Sequence, residues 1–339
     1  MVTQTDVTLA QFSHDAYFDA PTLPTGFTAL PDAAIAPALV PGATYQGGVF
    51  HEGNGAALLG TGVVNGEETL VLAFRGSDDR TDSIQDLTGI NAAYGDFTGL
   101  VAAVEAYARA SGIPQIAVTG HSLGGAMTQI VMATHANDAQ LAWTGDSFGS
   151  PGAQIGAAPD ARLQQFVIAD DPAVVLGVHR GEIGDALQHD PVLATAAAHG
   201  IAAELPGLTP EDALASLPTL TANYVNNGTL VLLPDVSGGT DPASAVADLS
   251  RADPARHEST LLYLQEVAAA ADGGPARVVP QGADDPESVF DVALYEGMYP
   301  NGTRADAAVQ SLLHGFADPF QAALQQASAN LQHDLQHLL

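Results

Sequence analysis

The stretch Ile116-Ala-Val-Thr-Gly-His-Ser-Leu-Gly-Gly-Ala-Met-Thr-Gln-Ile-Val131 decides how the chain is read. Ile116-Ala117-Val118 is a short apolar run of the kind a buried strand shows. Gly120-His121-Ser122-Leu123-Gly124-Gly125 follows, and from Ala126 to Thr134 apolar residues recur at helical spacing. A strand, a sharp glycine turn and a helix form the setting in which a G-x-S-x-G serine can act as a nucleophile. Glycines flank such a serine because neighbouring Cβ atoms would clash there. The helix that starts beyond it turns its free N–H groups towards the serine. The chain holds 35 Gly, so the bare pattern can arise by chance. The question is whether a base, an acid and an oxyanion hole stand in a workable order around Ser122.

Working outward, an β-α-β-α-β alternation appears. AALLGTGVV and ETLVLAFRG flank Asn65-Gly66, a strong hairpin signal. Phe97–Ala110 reads as a helix, Trp143–Phe148 and Gln165–Ala169 as strands, Thr229–Leu233 as another strand and Ser259–Ala270 as a helix. Residues 5–20 read as a short helix, and the Pro/Ala/Gly-rich chain after them as irregular surface. The expected fold class is α/β: a mainly parallel central sheet flanked by helices. An Ala-rich helical insertion at Gly177–Ala222 interrupts the strand rhythm. The expected organisation is one domain over 1–272 and a mostly helical C-terminal extension over 273–339, packed on the body.

Composition limits the chemistry. The 339 residues include no cysteine, which excludes disulfides, thiolate catalysis and Cys-ligated zinc. The formal charge is −30, with 39 acidic residues against 9 basic ones, all arginine. Such a chain should repel nucleic acid and anionic membrane surfaces. No apolar run approaches the ~20 residues that a membrane span needs. The N-terminus shows neither a basic n-region nor a continuous apolar h-region, so no Sec signal peptide is read there. Export by a non-Sec route is favoured over a cytoplasmic location.

A serine hydroxyl needs a base to take its proton and an acid to orient that base. In a parallel sheet these groups belong on loops at the C-terminal strand ends. FVIADDP places Asp170 and Asp171 directly after a strand, and either could be the acid or a loop cap. Among 11 histidines, position along the chain leaves His257 and His314 as candidate bases. His257 stands in a loop after the last strand and before a helix, where the base loop belongs. Two N–H groups must face the developing oxyanion. One is expected from Leu123. The other is expected from Ser77, after the strand Leu70–Phe74 and the Arg75-Gly76 turn, with the Ser77 hydroxyl as a further donor.

Together these residues resemble the class 3, fungal-type lipase family of the α/β-hydrolase superfamily. FRGS (Phe74–Ser77) is similar to that family's oxyanion segment, with Asp86-Leu87 where its Asp-Leu pair falls. GHSLGGA (Gly120–Ala126) is similar to its nucleophile elbow and SFGSP (Ser147–Pro151) to its F-G-x-P strand end. ADDP (Ala169–Pro172) is similar to its acid motif, which selects Asp171. His257, followed by Tyr263, falls where the family has its base before a Tyr-containing helix. The match runs from about Ala56 to Ala270. It departs at Asn226, where a strand histidine is expected, at Ser83, where a tryptophan is common, and at the 177–222 insertion. The resemblance implies a serine carboxylic-ester hydrolase with Ser122, Asp171 and His257 as triad and Ser77 and Leu123 as oxyanion hole. No metal or cofactor is required. The implied partners are a small-molecule or lipid ester substrate and transient contact with a lipid interface. Acylglycerols or other fatty-acyl esters are the expected substrates. A phospholipase, a polyester hydrolase or an acyltransferase would use the same triad, and a catalytically silent member would bind lipid or a partner. The segment Asp78–Phe97 falls where relatives carry a lid.

Overall fold

A computed structural model describes residues 1–53, 55–76, 90–91, 93–156, 158, 160–168, 171, 174, 187–189, 191–204, 209–220, 224–233 and 260–279. Among the described residues ten strands form one sheet. They are β1 Thr28–Ala29, β2 Thr44–Gln46, β3 Val49–Glu52, β4 Gly55–Val64, β5 Glu67–Phe74, β6 Gln115–His121, β7 Ala142–Phe148, β8 Leu163–Ile168, β9 Thr229–Leu233 and β10 Arg277–Val279. The sheet order is β10-β9-β8-β7-β6-β5-β4-β3-β2, with β1 paired to β4. The strands β5 to β9 run parallel to one another. The flanking pairs are antiparallel. The hairpin of β4 and β5 closes at Asn65 (φ 53°) and Gly66 (φ 86°). Both are left-handed, as the tight turn suited to strand twist requires.

The helices are α1 Gln4–Asp15, α2 Asp32–Ile35, α3 Thr98–Ser111, α4 Leu123–Thr134, α5 Pro191–Glu204, α6 Pro210–Leu220 and α7 Thr260–Ala271. The central strands carry short apolar runs, such as Leu70–Phe74, Ile116–Val118 and Phe166–Ile168, because both faces of the sheet are covered. On β5, Leu70, Leu72 and Phe74 share a core with Leu100 and Val104 of α3 and Met127 and Val131 of α4. The alternate residues Val71 and Ala73 meet Leu9 and Phe12 of α1 on the other face. Tyr263 and Val267 of α7 pack on that second face against Phe148, Phe166 and Val231. Helices on both faces of a sheet whose central strands β5 to β9 run parallel give the α/β-hydrolase architecture that the sequence implied.

Two elements differ from the sequence expectation. The Pro-rich chain after α1 is not merely surface: Leu30 is 1% and Ile35 0% exposed, and both enter the main core. Edge strand β10 lies in chain assigned to a helical tail; it pairs antiparallel with β9 from Arg277 to Val279. The insertion does contain helices, α5 and α6. The remainder of the tail, from 280 onward, lies outside the described residues. No helix among the described residues is long and apolar enough to cross a membrane.

α1 is fastened at its start by a capping box. The Asp6 side chain accepts from the Thr3 N–H at 2.6 Å, and the Thr3 hydroxyl accepts from the Asp6 N–H at 3.4 Å. Asp6 also faces Asp146 of β7, which lies in register between Thr119 of β6 and Gln164 of β8. Asp146 is 3% exposed. Burial raises its pKa well above the usual carboxylate value, and the charge and hydrogen bonding of Asp6 raise it further; Gln164 opposes them. In the unfolded chain Asp146 would lose its proton near the usual ~3.9. The raised folded value therefore makes its contribution to stability fully present below the usual carboxylate range. That contribution is lost as pH rises through the folded value. Asp146→Asn is expected to raise Tm at pH 8 by about 3–6 °C, for ~1–2 kcal/mol relieved, and to leave Tm at pH 4 close to wild type. Calorimetry at the two pH values checks this; an equal difference at both would remove the acid pair as its cause.

Candidate active site

The site is assembled at the C-terminal ends of β5 to β8. β6 ends at His121 and α4 begins at Leu123, which leaves Ser122 alone to make the turn. Its backbone sits at φ 57° and ψ −123°. A serine at positive φ is strained, and such strain persists only where the surroundings enforce it. They do so here through hydrogen bonds and close packing. The Ser122 N–H donates to the Phe148 carbonyl at the end of β7 (2.9 Å), and the Ser122 carbonyl accepts from the Ala126 N–H (3.1 Å). A Cβ at Gly120 would collide with the Gly124 backbone, and one at Gly124 with the Phe74 carbonyl. The glycines thus let α4 start directly against β5 and β6. Ser122 is half-buried.

Leu123 is the first residue of α4, so its N–H has no acceptor within the helix. It is free by position to serve an anion at the serine. The turn after β5 comes down beside it. Gly76 is buried; a Cβ there would stand 2.5 Å from the His121 carbonyl oxygen and 3.2 Å from Ser122 Cβ. The backbone that leads into Ser77 therefore abuts the elbow. Ser77 itself lies outside the described residues, as do residues 78–89, which include Ser83, Asp86 and most of the expected lid.

Asp171 is 2% exposed at the end of β8, and its N–H donates to the Ile168 carbonyl (3.0 Å). The Tyr263 hydroxyl donates to Asp171 Oδ2 at 2.6 Å and accepts from the Ile168 N–H at 3.3 Å. Burial and the neighbouring Asp171 carboxylate hold the Tyr263 phenol well above its ordinary pKa. That keeps the phenol a donor to the carboxylate. Gly149, at φ 54°, makes room for this pair: a Cβ there would come within 2.6 Å of Asp171 Oδ2 and 2.8 Å of the Tyr263 hydroxyl. The Gly149 N–H donates to Phe166 of β8 (3.0 Å), one residue from the Phe148 carbonyl that binds Ser122. Serine and acid thus hang from adjacent positions of one strand end.

Ser122, Leu123 and Asp171 all follow the C-terminal ends of parallel strands, β6 and β8. His257 lies outside the described residues, as do Asp170 and His314. Three residues beyond His257, Thr260 opens α7; it is buried, and its hydroxyl lies 2.6 Å from His14 Nδ1 of α1. Asn226, at the expected strand-histidine position, belongs to a polar brace. Gln129 Nε2 donates to Asn226 Oδ1 (2.7 Å) and Ser150 Oγ (2.9 Å), and the Asn227 N–H donates to Gln129 Oε1 (3.2 Å). This ties α4 to the SFGSP turn, so an asparagine serves there. In the sequence Tyr263 stands out only as a mark of the resemblance and Gly149 not at all; a phenol six residues after a candidate base carries no local signal of its carboxylate partner.

A family profile described as phospholipase-like, Tle-like phospholipase domain, matches residues 8–210. No curated protein matches. Among solved structures, the chain is similar to a triacylglycerol lipase from Penicillium expansum at 13% identity, over 68% of this chain and 78% of that one, with a TM-score of 0.38. It is also similar to the Lip2 lipase from Yarrowia lipolytica at 17% identity, over 51% and 72%, with a TM-score of 0.37. A structure described as a fungal lipase aligns at 18% identity over 51% and 73%, with a TM-score of 0.33.

Proposed function

The chain belongs to the Tle-like phospholipase domain family and is a carboxylic ester hydrolase of the lipase type; on that premise we propose that it cleaves fatty-acyl esters through an acyl-enzyme on Ser122. The observation that carries the proposal is the elbow: a non-glycine residue at φ 57°, ψ −123°, at the N-terminus of α4. A chain has no structural need for a strained serine there, and glycine would be cheaper.

In the proposed mechanism Ser122 Oγ attacks the ester carbonyl carbon while His257 takes its proton. The Leu123 and Ser77 N–H groups hold the oxyanion. His257 then returns the proton to the departing alcohol. Water, activated by the same imidazole, cleaves the acyl-enzyme and releases the acid. Asp171 fixes the imidazole tautomer and stabilises its charged form. Support for Asp171 is its burial and its lock by Tyr263. Support for Ser77 is the approach of Gly76 to the elbow. His257 rests on its place in the sequence.

Substrates are proposed to be acylglycerols or other fatty-acyl esters. The family description favours a second reading, a phospholipid ester at the same site. With a formal charge of −30, zwitterionic surfaces are favoured over anionic ones. The test is hydrolysis of p-nitrophenyl esters from acetate to palmitate, of tributyrin emulsion, and of vesicles of pure phosphatidylcholine or phosphatidylcholine with phosphatidylglycerol. Turnover of medium or long acyl chains is expected, with the anionic vesicles slower than the zwitterionic ones. Inertness on every ester and vesicle would overturn the enzyme reading.

A further inference from the structure

Tyr17, one residue past the cap of α1, reaches from the N-terminal helix to the two backbone segments that define the site. Its hydroxyl lies 3.0 Å from Nδ1 of His121, the residue before the nucleophile. It also lies 3.5 Å from the His121 carbonyl oxygen. A Cβ at Gly76 would collide with that same hydroxyl. One oxygen atom therefore fills the notch between the elbow and the turn that leads into Ser77. We propose that Tyr17 is a positioning residue of ester hydrolysis, its hydroxyl bracing the Gly76 turn against the Ser122 elbow through His121. This rests on the reading of Ser122 as nucleophile.

The placement of Tyr17 is fixed from both sides. Ala16 is buried with Leu9 and Phe12 against β5 and β6. Arg75 Nε donates to the Ala16 carbonyl at 2.7 Å, and Arg75 Nη2 pairs with Asp19 at 3.1 Å. The residue before Gly76 is thus tied to the residue before Tyr17, and the phenol closes the bracket one step further on. On the far side, the His121 ring is 2% exposed and lies against the Tyr263 ring, with centroids 5.3 Å apart. Tyr263 in turn holds Asp171. His121 therefore sits between the phenol that braces the oxyanion turn and the phenol that holds the acid.

The chemistry explains why a hydroxyl is needed at that point. A strained elbow relaxes unless its neighbours over-determine it. An oxyanion donor contributes in proportion to how well it is fixed before the charge develops. Packing alone could be supplied by a phenylalanine ring, but only a hydroxyl can bond the His121 imidazole and fill the notch at Gly76. Tyr17 is half-buried, so loss of its hydroxyl leaves the core cluster of α1 intact.

The test uses the full chain with p-nitrophenyl butyrate as probe. Tyr17→Phe is expected to lower kcat about tenfold with KM within about twofold, because ground-state binding does not use the oxyanion hole. Tm and the midpoint of the pH–kcat profile should match wild type, since Tyr17 transfers no proton to or from the substrate in the proposed mechanism. His121→Phe should lower kcat by a similar factor, and the double variant by no more than the larger single loss. An unchanged kcat in Tyr17→Phe, additive losses in the double variant, or a loss confined to Tm would each overturn the brace. Ser122→Ala separates the two readings. If it retains wild-type turnover, or if wild type is inert, the nucleophile reading fails and the brace with it. If Ser122→Ala is inactive while Tyr17→Phe equals wild type, only the brace fails.

Discussion

Ser122→Ala is expected to lower kcat on p-nitrophenyl esters by roughly 10⁵- to 10⁶-fold, the scale seen when the nucleophile of a serine triad is removed. KM should move little, because the hydroxyl makes its decisive contact only as the new bond forms. Folding should not suffer. Alanine retains the Cβ, and the elbow is held by backbone contacts to Phe148 and Ala126 that the substitution leaves alone. The strained φ of 57° is kept, so Tm should stay within about 2 °C of wild type. Single-turnover kinetics and thermal unfolding of the same preparation test both halves. Residual activity within a hundredfold of wild type would remove Ser122 from the chemistry.

Asp171→Asn should lower kcat by about 10⁴-fold while preserving the geometry. The asparagine Oδ1 can still accept from the Tyr263 hydroxyl, which now donates to Asp171 Oδ2 at 2.6 Å. What is lost is the negative charge and the ability to accept from the imidazole. The amide would donate instead and select the wrong tautomer. Asp171→Ala would add a structural loss, because the buried Tyr263 hydroxyl would lose its acceptor. A pH–kcat profile therefore distinguishes the variants better than rate alone. Asp171→Asn should regain part of its rate as pH rises and the imidazole is forced towards its basic form. A loss of less than tenfold would mean that another carboxylate orients the base.

The central strands could be read from sequence because both faces of the sheet are buried, so β5, β6 and β8 each contain a short apolar run, Leu70–Phe74, Ile116–Val118 and Phe166–Ile168. The elbow could be read because steric demand at Gly120 and Gly124 leaves a sequence trace. Long-range partners left none. Nothing around Tyr17 points to His121, 104 residues away, and nothing around Asp146 points to Asp6. Strands β2 and β3 carry three and four residues, too few for an alternation to stand out from its surroundings. The two antiparallel edges, β2 and β10, were missed for the same reason. Leu30 and Ile35 sit in a Pro-rich stretch whose local chemistry favours turns, yet the core needs their side chains. Tertiary burial overrode the local signal.

The central claim is that Ser122 is an activated nucleophile, and its most direct test is covalent capture. An alkyl fluorophosphonate phosphonylates an activated serine and ignores an ordinary hydroxyl, because attack needs a base to take the proton. Intact-mass measurement of the full chain after brief exposure should show a single added phosphonyl group. Peptide mapping should place it on Ser122, and Ser122→Ala should take up none. Absence of labelling, or a label that persists in Ser122→Ala, would contradict the account.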